Sequence, residues 1–117
     1  MPKQAPDLSR TFAALADPTR RRIVERLTRR RLSVSEIAKP LAMSLPAVVQ
    51  HLNVLEQSGL VRSEKAGRVR TCRIEPAAVR AAEDWIAGRR LRTERMLDRL
   101  GEYLAKPPEP TKPRRRT

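Results

Sequence analysis

The sequence predicts a mainly α-helical protein with about five helices and a two-stranded β-hairpin. Three observations support this fold class. Apolar residues recur at helical spacing through most of the chain, and aspartate or serine caps mark where helices begin. The segments on either side of Gly67 are instead rich in β-branched residues. The 117 residues provide for one domain of ordinary size.

The first two predicted helices each begin at an aspartate. Asp7 precedes a helix with apolar residues at i, i+4 and i+7, namely Leu8, Phe12 and Leu15. Asp17 caps the second helix, because its carboxylate can accept free backbone N–H groups and Pro18 suits the first turn. The apolar side of the second helix consists of Ile23, Val24 and Leu27.

The third predicted helix is short, and a turn separates it from the fourth. Ser33 and Glu36 have the spacing of a capping box, and Pro40 ends the third helix near Lys39. Ser44 caps the fourth helix, and Gly59 ends it. The predicted apolar face of the fourth helix consists of Leu45, Val48, Leu52 and Leu55.

A hairpin and one long helix complete the predicted fold. Gly67 can supply the positive φ that a tight turn between two strands needs. The last helix begins at Pro76 and continues to about Ala105. At ~1.5 Å per residue it would span about 40 Å, which is too long to bury on one small domain. We therefore expect part of this helix to pack against another chain.

The charge of the chain predicts a polyanionic partner. The 26 lysines and arginines against 13 acidic residues give a formal net charge of +13. Residues 106–117 hold five cations, one anion and four prolines, which predicts a disordered basic tail. We expect residues 1–6, with two prolines, to be flexible, so that residues 7–105 form the domain. That domain stays basic, with 20 cations against 12 anions, and such an excess favours nucleic acid or an anionic surface.

Composition also excludes several classes of function. One Cys and one His cannot supply an intrachain disulfide or a four-ligand zinc site, and we expect neither a metal nor a cofactor. The sequence has no nucleophile–base pair and no phosphate-binding glycine loop, so no catalytic residue is predicted and an enzyme is not expected. We expect a cytoplasmic protein, because no segment has the length and apolarity of a membrane span or a secretory signal.

The third and fourth helices followed by a basic hairpin predict a winged helix-turn-helix. Its second helix presents side chains to base edges in the major groove, and its hairpin, the wing, contacts the DNA backbone or minor groove. A helical wheel places Ala47, Gln50, His51 and Val54 away from the apolar face. Gln50 can pair with adenine, and Ala47 can touch a thymine methyl. The predicted DNA-binding residues are Ser44, Pro46, Ala47, Gln50, His51, Lys65, Arg68 and Arg70.

Four parts of the sequence resemble the ArsR/SmtB family of bacterial transcriptional repressors. They are residues 15–20 (LADPTR), residues 44–56 (SLPAVVQHLNVLE), residues 59–61 (GLV) and the hairpin glycine Gly67. Metal-sensing members carry cysteines in the third helix, or His, Asp and Glu sets in the last helix, and neither site can be assembled here. The chain is closer to the non-metal branch, whose members carry a Trp in the last helix, as Trp85 is here.

This resemblance implies a homodimer that binds operator DNA and represses a neighbouring operon or its own gene. The dimer would form through the first and last helices. It would bind a partly palindromic operator and so be associated with the nucleoid. The residues predicted for dimerisation are Leu8, Phe12, Ile86, Leu97, Leu100 and Leu104.

Two alternative functions fit the same sequence. One is a sensor whose effector binds between the last helices or acts on the thiol of Cys72, although an inert buried thiol is the favoured interpretation of that residue. The other is a basic module that coats nucleic acid without sequence preference. The effector, the operator and the regulated genes are not encoded in any recognisable motif, and repressors and activators share this fold.

Overall fold

A computed structural model of the protein describes residues 7–105. The elements are α1 Leu8–Leu15, α2 Pro18–Arg29, β1 Leu32–Ser33, α3 Val34–Ala38, α4 Leu45–Gln57, β2 Val61–Ala66, β3 Val69–Ile74 and α5 Pro76–Ala105. The expectations for residues 1–6 and 106–117 lie outside the described residues. The chain divides into two compact units, with the boundary between Glu83 and Asp84 inside α5.

The helices begin where the capping signals predict. Asp7 accepts a hydrogen bond from the amide of Arg10 at 3.3 Å, and Asp17 accepts one from the amide of Arg20 at 3.0 Å. At α3, the Ser33 hydroxyl accepts from the Glu36 amide at 3.1 Å, while the Glu36 carboxylate accepts from the Ser33 amide at 3.0 Å. Each cap satisfies a backbone donor that a helix leaves without an internal partner, so local chemistry fixes these three starts together with that of α4.

The sheet has one strand more than the sequence analysis predicts. Its three strands are antiparallel in the order β1-β3-β2, and Leu32 of β1 lies opposite Cys72 of β3. A strand of two residues is too short to show the alternation that identifies strands. The hairpin between β2 and β3 turns at Gly67, whose φ is +62° while Arg68 keeps a negative φ, as a type II′ turn requires.

The core of the first unit is apolar and lies between the helices and the sheet. Its fully buried side chains include Ile23 of α2, Ile37 of α3, and Val48, Leu52 and Leu55 of α4. The prediction that Leu45 belongs to the buried face of α4 is wrong, because Leu45 is 53% exposed. As the first residue of the helix, Leu45 lies beyond the neighbouring elements that cover the later turns.

Helix α5 has the predicted extent, and its two ends differ. Ala78 and Ala82 are buried near its start. In the second unit, which begins at Asp84, nearly every side chain of the helix is exposed up to Ala105. Within residues 7–105, no helix is both long and apolar enough to cross a membrane.

Candidate nucleic-acid interface

Helices α3 and α4 form the predicted helix-turn-helix. The turn between them, residues 39–44, carries a buried Leu41 whose amide donates to the carbonyl of Ala38 at 3.0 Å. Leu41 joins Ile37 and Val48 in the core, so the turn is anchored from within. Ser44 then caps α4 by accepting from the amide of Ala47 at 3.3 Å. This arrangement leaves the N-terminal turn of α4 open to solvent.

The exposed face of α4 is centred on Gln50. Pro46, Gln50, Asn53 and Gln57 are all exposed, and their spacing of three or four residues aligns them in one stripe. Ala47 lies beside this stripe and is half-buried. The sequence analysis missed Asn53 and Gln57. A helical wheel centred on the buried Val48, Leu52 and Leu55 would have placed both opposite the core.

His51 lies at the edge of that face and contacts α2. Its side chain is 22% exposed, and its Nδ1 lies 3.3 Å from Nη1 of Arg20 and 3.9 Å from Oδ2 of Asp17. Arg20 itself donates to the backbone carbonyl of Ala14 at 2.7 Å. The backbone N–H of Arg20, followed by the charges of Arg20 and His51, holds the pKa of Asp17 below its ordinary value. His51 therefore docks α4 on the α1–α2 junction, and its predicted contact with DNA stays a prediction.

The tip of the wing carries two cations without protein partners. Lys65 and Arg68 are exposed on either side of Gly67, and neither side chain forms an ion pair or hydrogen bond within residues 7–105. Val69 next to them is also exposed. A narrow tip with two unpaired cations suits contact with phosphates or insertion into a minor groove.

The base of the wing uses its arginines internally. Arg62 Nε lies 2.5 Å from a carboxylate oxygen of Glu75. Arg73 lies 3.7 Å from Glu64 and 3.8 Å from Glu75. These arginines, although part of the same basic hairpin, are already balanced by carboxylates.

Arg70 joins the wing to α4. Its Nη2 donates to the carboxylate of Glu56, and its Nε donates to the Ser63 hydroxyl at 3.0 Å. The Ser63 hydroxyl in turn donates to Glu56, and Asn53 accepts from Arg70 at 3.5 Å. In the structure the Arg70 side chain bonds to Glu56 and Ser63, and its predicted contact with DNA stays a prediction. Its observed role is to fix the wing against the end of α4.

Cys72 has no exposed surface. It lies in the middle of β3, opposite Leu32 and Ser63, and burial raises the pKa of its thiol. A protonated, buried thiol is a poor nucleophile. Among the described residues, no group of three His, Cys, Asp or Glu side chains is placed to hold a metal ion.

The residues predicted for dimerisation expose apolar surface on two helices. Ile86, Leu97, Leu100 and Leu104 of α5 are all more than half exposed, and so are Met96 and Tyr103, which the sequence analysis did not select. Trp85 is 44% exposed, and the Arg89 guanidinium lies 4.7 Å from its ring centre. On α1, Leu8 and Phe12 are half-buried.

Comparison with known proteins identifies the family. A family model described as a helix-turn-helix domain matches residues 15–64. The HTH-type transcriptional regulator Rv2034 of Mycobacterium tuberculosis is 46% identical over 78 residues, which cover 67% of this chain and 71% of the relative. A crystal structure of an ArsR family transcriptional regulator, RHA00566, is also 46% identical, with a TM-score of 0.71, over 80% of this chain and 97% of the other. The chain belongs to the ArsR family.

A further ArsR-type structure bears on assembly. The homodimeric winged helix-turn-helix DNA-binding domain of Mb0332 from Mycobacterium bovis, described as a possible ArsR-family regulator, is 25% identical with a TM-score of 0.57. The alignment covers 79% of this chain and 82% of that domain. The predicted winged helix-turn-helix fold and ArsR membership are therefore confirmed. As a member of this family, the protein is a DNA-binding transcriptional regulator and not an enzyme.

Proposed function

We propose that the protein represses transcription by binding a partly palindromic operator as a homodimer. The observation that carries this proposal is the pairing of an exposed amide-bearing face on α4 with unpaired cations at the wing tip. Gln50 and Asn53 can each form two hydrogen bonds with adenine in the major groove. Lys65 and Arg68 supply phosphate contacts, which carry affinity and little sequence information.

The network around Arg70 holds the base-contacting helix and the phosphate-contacting wing tip in a fixed relation to each other. Base-specific contacts require that the recognition helix and the backbone contacts keep a fixed geometry. Arg70, Glu56 and Ser63 bind the wing directly to the last turns of α4. DNA that engages the wing tip is thereby placed in a set position relative to Gln50.

The dimer we propose forms through Leu8 and Phe12 of α1 and the exposed leucines of α5. Apolar side chains that recur at helical spacing on an unburied helix favour association with a second helix, which removes them from water. A two-fold dimer presents its recognition helices about 34 Å apart, one turn of DNA. The homodimeric assembly of Mb0332 supports this arrangement. Repression follows when the bound dimer excludes RNA polymerase, at its own promoter among others, on the nucleoid in the cytoplasm.

The test is a fluorescence-anisotropy titration of the full chain against DNA from upstream of its own gene. Scrambled DNA serves as competitor, and the titration is run at two salt concentrations. We expect binding to the upstream DNA to survive the competitor at the higher salt. Equal affinity for both DNAs, lost together as salt rises, would instead identify a nonspecific basic module.

The substitution Gln50→Ala tests the assigned recognition face. We expect it to relax preference at one base pair by about 10- to 100-fold, because a paired amide discriminates by ~1–3 kcal/mol. Arg68→Ala is the matched control, since it should weaken all sequences alike. Unchanged base preference in the Gln50 variant would remove Gln50 from the interface. The same assay on His51→Ala decides whether that residue reads DNA or only docks α4.

A further inference from the structure

An open groove lies at the base of the wing, away from the surface proposed to bind DNA. It has a volume of about 550 Å³ and lies between the end of α2, the end of β3 and the first turns of α5. Cavities of this size hold small organic molecules. All of its lining residues precede Asp84, so they belong to the first unit.

Four arginines line this groove against one acid. They are Arg30, Arg31, Arg73 and Arg80, and the acid is Glu83. Arg30 is paired with Glu36 at 3.1 Å, and Arg73 lies near Glu64 and Glu75. Within residues 7–105, the side chains of Arg31 and Arg80 have neither an ion pair nor a hydrogen bond. Two guanidinium groups, one from the loop after α2 and one from α5, are therefore available to the same ligand.

Most of the remaining residues that line the groove are apolar. Leu27 is 4% exposed, and Ile74 and Val79 are partly buried against the core. A ligand that suits both kinds of surface combines an anionic head with an apolar body. Guanidinium groups bind carboxylates in bidentate fashion, and the apolar body gains by leaving water.

We propose that this groove is a binding site for a small amphipathic organic anion, with Arg31 and Arg80 holding its carboxylate. DNA is a poorer candidate for this position. Strand β3 runs from Val69 at the tip to Ile74 at the groove, a distance of about 16 Å at ~3.3 Å per residue. A duplex bound at the tip contacts the opposite end of the strand.

Binding is measured on the full chain with anilinonaphthalene sulfonate, an aromatic anion whose fluorescence rises in apolar surroundings. We expect the probe to bind saturably and octanoate to displace it. In Arg31→Gln/Arg80→Gln we expect the affinity for the probe to fall by about tenfold or more, because each charged hydrogen bond contributes to binding. Equal affinity of that variant and the original chain would overturn the proposal. Displacement by inorganic phosphate as strong as that by octanoate would overturn the role of the apolar surface. If duplex DNA displaced the probe from the original chain but not from the double variant, the groove would be reassigned to DNA.

The matched control removes two charges outside the groove. Arg29→Gln/Arg99→Gln changes net charge equally, and Arg99 lies beside the exposed Leu100 and Tyr103, where the probe could also bind. We expect this control to bind octanoate as the original chain does. A loss as large as that of the groove variant would attribute binding to overall charge and overturn the proposal. Circular dichroism establishes that both double variants are folded.

The position of the groove also allows a bound ligand to change the affinity of the protein for DNA. This step rests on the proposed function. The lining of the groove joins the base of the wing, through Arg73 and Ile74, to the start of α5. We expect octanoate to change the affinity of the original chain for operator DNA severalfold and to leave the groove variant unaffected. An equal response of both would overturn this regulatory step. Failure of every variant to prefer operator DNA would count against the proposed function, while probe binding would still test the groove.

Discussion

The tip and the base of the wing both carry basic residues, but these residues have different partners. At the tip, Lys65 and Arg68 have no partner within the described chain. At the base, Arg62 pairs with Glu75 and Arg70 with Glu56. The hairpin is uniformly basic by sequence, but the structure leaves only its tip cations uncompensated among residues 7–105.

This difference shows that a count of charges does not identify a nucleic-acid interface. The acids that pair with the basal arginines come from α4, from the opposite strand or from the residue after β3, so their pairing depends on the fold. A paired arginine stabilises the protein, whereas an unpaired one keeps its capacity to release counterions from DNA. Substitutions at the two ends should therefore affect different properties.

The largest effect is expected from breaking the network at the base. Arg70→Ala leaves Glu56 and Ser63, both part-buried, without their guanidinium partner. Because hydrogen bonds to charged groups contribute most among hydrogen bonds, we expect a fall of about 2 kcal/mol in the free energy of unfolding, measured by urea titration. A double-mutant cycle with Glu56→Gln isolates the pair. Additive losses in that cycle would mean that the two residues do not interact.

A smaller and different effect is expected at the tip. Lys65→Ala/Arg68→Ala should leave the free energy of unfolding unchanged, because these exposed side chains form no hydrogen bond or ion pair with another described residue. We expect the slope of log affinity against log salt to fall by about 2 for each subunit of the bound dimer, roughly one unit for each lost phosphate contact. For each subunit, the drop in affinity over a fourfold rise in salt concentration should then be about tenfold smaller than in the original chain, as measured by anisotropy. Arg70→Ala is the control, and its slope should stay close to that of the original chain. Equal slopes in all three proteins would erase the distinction between tip and base.

The smallest effect concerns a carboxylate whose partners are local. The Ser33 amide first, then the Arg30 guanidinium, hold the pKa of Glu36 below its ordinary value. Glu36 therefore contributes stability above its ordinary pKa and loses it as the pH falls through the lower pKa of the folded state. In acid titrations below about pH 5, we expect Glu36→Gln to show a flatter decline of unfolding free energy than the original chain. A parallel decline would mean that the capping box does not depend on this charge.

The starts of the helices could be predicted because capping is local. Asp17, Ser33 and Ser44 each bond to an amide three residues later, so four consecutive residues contain the whole interaction. The turn at Gly67 is predictable for the same reason, since its positive φ is a property of one residue. Strand β1 escaped prediction because two residues carry no periodicity, and it exists only where β3 offers a partner.

The interface could be predicted only in part. The sequence placed Gln50 on an open face and Lys65 and Arg68 at the wing tip, because amphipathic spacing and turn chemistry decide both. It did not reveal that Arg70 would meet Glu56 or that His51 would meet Arg20, pairs that are 14 and 31 residues apart. No periodicity links such residues.

By itself, then, the sequence determined the helix boundaries, the hairpin, the basic character and the resemblance to ArsR regulators. The tertiary structure decided which cations remain unpaired, that His51 contacts Arg20, and where Arg31 and Arg80 share a groove. The physical reason is the distance along the chain between the residues that interact. Caps, turns and amphipathic faces depend on neighbours within a few residues, whereas the partner of a charge is whichever opposite charge folding brings near it.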